Sequence, residues 1–345
     1  MNDTMKILSE KPLNAETPAT HLQSWITSNA LFFKRNQGQI MPVVIEDWRI
    51  SIQGLVKRPL TLRYSDILSL PKVEMPVTLE CSGNGRSLLT EKASGNPWTI
   101  GGVGNAVWGG VRLADVLAMA EVEDKAMHAA FEGLDQPVGS AGVKFIRSIP
   151  LVKALDSTIL AFEMNGEPLP LEHGYPLRAL ALGWTGANCV KWLNKITILD
   201  KPFAGFFMDK VYRVFQKGED STSGQVVTII PLKSIITSPE TGTTFSKGDH
   251  MVRGAAYGGE EDITDVEVSL DDGGTWHAAT FVGPHERYAW RRWEYLWHVS
   301  KPGHYVIMAR AWDSRGRVQP MSANWNFLGY GNNGVLEHAV SILVR

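Results

Sequence analysis

Apolar and polar residues alternate along most of this chain in short runs separated by glycine and proline. Trp48-Arg49-Ile50-Ser51-Ile52 has the two-residue period of a half-buried strand, continued by Gln53-Gly54-Leu55-Val56. Pro76-Val77-Thr78-Leu79-Glu80-Cys81 is a second β-rich run, and it breaks into the turn Ser82-Gly83-Asn84-Gly85-Arg86. Strands are also predicted over 128–134 and 158–164. The helical signals are brief: 20–30, a capped start at Tyr64-Ser65-Asp66-Ile67-Leu68, 111–120 and 149–154. A Gly/Pro-rich stretch over 165–176 precedes alternating segments that run to Leu199. Between about 215 and 235 the character changes to short strands with turn signals. Val266-Glu267-Val268-Ser269-Leu270, the turn Asp271-Asp272-Gly273-Gly274 and Thr275-Trp276-His277 form a predicted hairpin. Further strands over 293–299 and 305–312 have the spacing of a β-sandwich.

At 345 residues the chain is long enough for two domains. A net charge of −2 makes nucleic acid an unsuitable partner, and no run approaches the ~20 apolar residues of a membrane span. Two cysteines, Cys81 and Cys189, form neither a disulfide framework nor a four-cysteine zinc site. The start, Met1-Asn2-Asp3-Thr4-Met5-Lys6-Ile7-Leu8, has no apolar signal core. A cytoplasmic chain is therefore expected, or a periplasmic one whose leader has been removed. Twelve tryptophans among many glycines and prolines suit loops around aromatic pockets, as in an enzyme.

Cys81 stands where a strand enters a tight turn. It is either a small buried hydrophobe or a functional thiolate favoured by the donors and the guanidinium of the next five residues. A nucleophile would want a histidine base, and none is close in sequence. A single thiolate cannot hold zinc alone, so a metal here needs non-protein ligands. Arg35-Asn36 and Arg86 are anion-binding candidates. His173-Gly174-Tyr175-Pro176-Leu177-Arg178 together with 183–191, ending at Lys191, combines cations with Gly-rich backbone. That composition can grip a phosphate or can tie down a loop by salt bridges. Tyr212, close to Phe206, Phe207 and Phe215, is by composition alone more often a core residue than a functional one.

Several of these runs together resemble the sulfite oxidase family of molybdopterin enzymes. They are Glu80-Cys81-Ser82-Gly83-Asn84-Gly85-Arg86-Ser87, Phe131-Glu132-Gly133-Leu134-Asp135, Ala161-Phe162-Glu163-Met164-Asn165-Gly166-Glu167-Pro168-Leu169-Pro170 and His173-Gly174-Tyr175-Pro176-Leu177-Arg178, extended by Val190-Lys191-Trp192-Leu193 and Trp325-Asn326. The resemblance implies an α+β fold in which a mixed α/β molybdenum-cofactor domain (1–225) precedes an immunoglobulin-like β-sandwich (226–345) that makes homodimers. It implies Cys81 as the molybdenum ligand, with the pterin dithiolene completing the metal's coordination. Phe33, Lys34, Arg35, Asn36, Gln37, Asp135, His173, Arg178, Cys189, Val190 and Lys191 match positions that hold the molybdopterin and its phosphate. Arg35, Arg86, Trp98 and Tyr212 match the substrate pocket.

Two departures bear on chemistry. Gln37 stands where animal sulfite oxidases have a histidine, and Leu328, in Trp325-Asn326-Phe327-Leu328-Gly329, stands where they have an arginine. Assimilatory nitrate reductases of the family also carry an uncharged residue at that second position. The expected reaction is oxidation of a small oxyanion, sulfite, to sulfate. The lead-in is short for the haem domain of the animal enzymes, so a separate acceptor, a cytochrome or dioxygen, is expected. The alternatives are nitrate reduction, another oxyanion, S-oxide or N-oxide reaction, and a non-catalytic relative that binds no metal.

Overall fold

A computed structural model describes residues 4–39, 42–137, 139 and 142–345. The first part of the chain builds two five-stranded sheets. One runs in the order Glu167–Pro168, Thr158–Met164, Val103–Arg112, Lys72–Glu80, with Arg178–Ala181 also pairing with Thr158–Met164. The other runs Leu60–Arg63, Arg49–Gly54, Leu193–Leu199, His128–Gly133, Ile146–Pro150. Its parallel pair is Leu193–Leu199 against Arg49–Gly54, two strands far apart in sequence that need a long crossover. Ile50, Ile52, Phe131, Leu193, Ile196 and Ile198 are buried between this sheet and the short helices Leu113–Ala120 and Leu151–Asp156.

The later part is a sandwich. A four-stranded sheet (Lys233–Ser238, Gly248–Tyr257, Arg291–Val299, Thr280–Val282) faces a five-stranded one (Thr244–Phe245, Val340–Val344, Gly303–Asp313, Ile263–Ser269, His277–Ala278). Val252, Val268, Trp293, Ile307 and Ala311 fill the space between them. The 266–277 hairpin forms with Glu267 opposite Ala278 and Val268 opposite His277. The large sheets of the first part end at Leu199 and the sandwich begins at Lys233. Between them lies a small pair, Arg213–Val214 with Gln225–Val226, so the expected boundary at 225/226 falls inside a strand.

The helical expectations need trimming. The 20–30 segment is only a short 3-10 turn, Ala19–Gln23. Beyond it the backbone turns outward to bond across the molecule, as where Thr27 N–H donates to Asn105 O at 2.8 Å. The 111–120 and 149–154 helices begin later, at Leu113 and Leu151. In each case the preceding strand runs on, and Pro150 ends one strand and leads directly into the helix. Tyr64–Leu68 is helical as its cap suggested, with Arg63 N–H donating to the Asp66 carboxylate at 2.8 Å. Among the described residues no helix is long and apolar enough to cross a membrane.

Candidate active site

The strand Lys72–Glu80 delivers Cys81 to the meeting point of two cavities. The inner one is lined by Phe32, Phe33, Arg35, Asn36, Gln37, Cys81, Asp135, His173, Arg178, Cys189, Lys191 and Tyr212 with their neighbours. The outer one is lined by Arg35, Gln37, Cys81, Gly83, Arg86, Tyr212, Leu328 and Tyr330 among others. Arg35, Gln37, Cys81 and Tyr212 belong to both, so the thiol sits at the junction.

The inner cavity gathers the basic side chains of Arg35, Arg178 and Lys191 around the single carboxyl of Asp135. Arg178 is buried, donates to His173 O at 2.9 Å, and its Nε finds no partner among the described residues. Lys191 donates to Asn36 Oδ1 and to Glu172 O. Burial, reinforced by Arg178, drives the Lys191 ammonium well below its ordinary range. Burial, with Lys191 and Arg178 nearby, pushes His173 down to about 3. Burial raises Asp135 to about 6 against the opposing pull of Lys191. Buried basic groups with an unpaired donor are poised for an anion, because its arrival would satisfy the donor and favour the charged form of the lysine.

Cys81 departs from one expectation. Arg35, Arg86 and the Gly83 backbone favour its thiolate, but complete burial outweighs them and the thiol is pushed up. The cationic neighbours therefore do not suffice to ionise it; a bound metal cation would. Among the described residues no three His, Cys, Asp or Glu side chains gather as a metal site. A metal held through Cys81 thus needs its other ligands from a bound cofactor.

Tyr212 is buried in the left-handed region at φ 56°, a costly conformation for an aromatic residue. Its backbone is held by Val227 N–H, 2.8 Å from Tyr212 O. Gln37 Nε2 donates to the Tyr212 hydroxyl at 2.7 Å, which leaves the phenolic hydrogen free to be donated elsewhere. Arg86 donates to Leu328 O at 2.9 Å and to Asn96 O at 2.8 Å. Arg35 donates to Asn36 O and Asn14 Oδ1.

Three sequence-derived candidates lie elsewhere. Trp98 is wholly buried and lines neither cavity; it packs edge-on to Phe33 with ring centroids 6.2 Å apart, backing the wall. Lys34 turns away to Glu172 at 3.7 Å, because adjacent residues of an extended segment point to opposite sides. Val190 joins the core of the first part, and its carbonyl accepts from Ala179 N–H. Cys189 lines the inner cavity as a buried thiol, pushed up by burial. Two residues the sequence reading passed over belong here. Tyr330 stacks on Tyr212 with centroids 5.4 Å apart. Arg147, fully buried, sits 5.2 Å from the Tyr212 ring centroid. Tyr330 was within reach, two residues beyond Leu328; Arg147 lies in a strand whose pattern carries no such signal.

Residues 37–207 match the oxidoreductase molybdopterin binding domain, and 225–343 match the Mo-co oxidoreductase dimerisation domain. The chain is 34% identical over 363 residues to sulfite oxidase of Arabidopsis thaliana, covering 95% of this chain and 92% of that protein. With mitochondrial sulfite oxidase of Rattus norvegicus it shares 35% identity over 352 residues, 95% of this chain and 64% of the relative. The chain thus spans just under two thirds of the mitochondrial protein. The crystal structure of the sulfane dehydrogenase SoxCD from Paracoccus pantotrophus superposes with a TM-score of 0.85 at 29% identity, covering 96% of this chain and 86% of that one. A molybdopterin carries a phosphate and a sulfur-bound metal. The unpaired Arg178 Nε beside Lys191 fits the first, and the lone Cys81 at the cavity junction fits the second. Matched domains, relatives aligned along nearly the whole chain and a cavity whose side chains fit that cofactor agree: this chain belongs to the sulfite oxidase family of molybdopterin oxidoreductases.

Proposed function

We propose that this chain oxidises sulfite to sulfate, taking the oxygen from water and releasing two protons and two electrons per turnover to a separate acceptor, a cytochrome or dioxygen. The observation that carries the reading is Cys81 at the junction of a cationic inner cavity and an outer cavity bearing Arg35 and Arg86. The molybdenum–pterin, held by Cys81 with Arg178, Lys191 and the loop 33–37, supplies two-electron oxygen-atom transfer when bound. Arg35 and Arg86 surround the shared mouth with positive charge, drawing in a small anion and fixing its orientation. Their engagement by backbone carbonyls holds the two guanidinium groups in place before substrate arrives, so little reorganisation is needed on binding. Tyr212 offers its free hydrogen to a substrate oxygen while Gln37 fixes the hydroxyl from behind. Gln37 itself carries no titratable group. The dimerisation domain supports two such chains working as a homodimer.

The test is anaerobic addition of one equivalent of sulfite to molybdenum-loaded protein while its visible absorption is recorded. Prompt bleaching, and its loss in Cys81→Ser with the fold retained, is the expected result. No bleaching with molybdenum present overturns the reading. A second reading, reduction of nitrate or of an S- or N-oxide, is favoured by Leu328, which removes a cation from the outer cavity. It predicts that reduced protein is reoxidised by those compounds and untouched by sulfate.

A further inference from the structure

We propose that Tyr330 is an anion-binding residue of the outer cavity, donating its phenolic O–H to the substrate in place of the cation missing at Leu328. The inference rests on the oxyanion reading above and deepens it. Its basis is how firmly the chain places this one side chain. Tyr330 sits between Gly329 and Gly331, at φ 59° and 68°, and a Cβ at position 329 would lie 3.0 Å from Arg86 Cγ and 2.7 Å from Ala93 Cβ. Asn326, itself buried, clamps the Tyr330 backbone from both ends. It accepts from Tyr330 N–H at 3.0 Å and donates to Tyr330 O at 2.8 Å. Gly331 N–H then reaches Ser82 O at 2.9 Å, tying the turn to the residue after Cys81.

The result is a four-layer stack. The Arg147 guanidinium lies 5.2 Å from the Tyr212 ring centroid, Tyr212 lies nearly parallel to Tyr330 at an interplanar angle of 18°, and the Arg86 guanidinium lies 5.3 Å from the Tyr330 ring. Two cations enclosing two electron-rich rings is a favourable order. It also places a second tyrosine on the wall of the cavity lined by Arg35, Arg86 and Cys81. Burial and the adjacent Tyr212 push the Tyr330 phenol up, against the opposing pull of Arg86 and Arg35, so it stays a neutral donor. Leu328 itself turns its side chain into the apolar group around Phe207, Tyr212 and Val227, while its carbonyl serves Arg86. A turn that delivers a cation elsewhere in the family here delivers a hydroxyl two residues later.

Tyr330→Phe keeps the ring, the stack and the cation–π contact and deletes only the donor. In the molybdenum-loaded full chain, the sulfite KM is expected to rise about tenfold or more, the loss of one hydrogen bond to a charged group, with kcat changed less than about twofold. Sulfate, the unreactive product anion, titrated calorimetrically into the oxidised protein, should bind more weakly by a similar factor. Adding Leu328→Arg to Tyr330→Phe should recover sulfate affinity. If the parent chain turns over no sulfite yet Tyr330→Phe still weakens sulfate binding, the anion site stands and only the substrate assignment falls. Sulfate affinity equal in parent and Tyr330→Phe overturns the proposal, whatever the activity.

Discussion

Arg178 shows how function and stability oppose each other at a single residue. Its guanidinium is buried against Trp108, 5.0 Å from the ring, with Nε unpaired among the described residues. A cation in that position is desolvated without full compensation unless an anion joins it. Replacing it by methionine, of similar length and no charge, should therefore leave the cofactor-free protein at least as stable in thermal unfolding. The same variant should purify with roughly a tenth or less of the molybdenum and pterin of the parent, from the loss of charge-assisted bonds to a phosphate. Lower stability together with full cofactor content would contradict both halves of the argument. The sequence could nominate Arg178 through its Gly-rich loop, and Cys81 through its turn. It could not exclude Lys34 or Trp98, because which side of an extended segment faces the cavity depends on neighbours such as Asn14, Glu172 and Phe33 that arrive from elsewhere.

Among the elements, the turn after Lys72–Glu80 carries the most chemistry in the fewest residues. Gly85 adopts φ 82° and Gly83 lies under the Arg86 guanidinium. A Cβ at Gly83 would come within 2.4 Å of Arg86 Nη2 and 2.6 Å of its Cζ, so an alanine there must displace the end of that side chain. Since Gly83 itself has no positive φ, the damage should fall on the outer cavity more than on the backbone. Gly83→Ala is expected to raise the sulfite KM about tenfold, approaching Arg86→Gln, while the exposed Arg315→Gln leaves KM unchanged. An alanine variant with parental KM would show that Arg86 can move without consequence to substrate. Strands and hairpins were legible because turn residues punctuate them, as at Asp271-Asp272-Gly273-Gly274. The 20–30 segment was not, since its helical pattern loses to hydrogen bonds with Asn105 and Met164, partners no local window contains.

For the molecule as a whole, the sandwich completes the site instead of merely accompanying it. Lys233, wholly buried at the start of the first sandwich strand, donates to Glu80 Oε1 at 2.6 Å, and Tyr257 donates to the same oxygen at 2.9 Å. Asn84, inside the cysteine turn, donates to it at 3.0 Å. Asn332 Nδ2 reaches Gly85 O at 2.7 Å from near the far end of the chain. Glu80 is therefore a buried charge whose cation comes from 153 residues away, and it immediately precedes Cys81. No periodicity or motif could have paired them. Family resemblance places both domains, but only the packed structure reveals what one supplies to the other. Lys233→Met should leave Glu80 charged, buried and without its cation, at a cost of about 3–5 kcal/mol. Chemical denaturation of the full chain would register this as a lower midpoint, and the loosened turn should also retain less molybdenum. Pairing it with Glu80→Gln removes the stranded charge and should recover much of the stability, since Tyr257 and Asn84 can still donate to the amide oxygen. If the two changes are simply additive, Lys233 and Glu80 are not coupled, and the sandwich does not brace the cysteine turn through this pair.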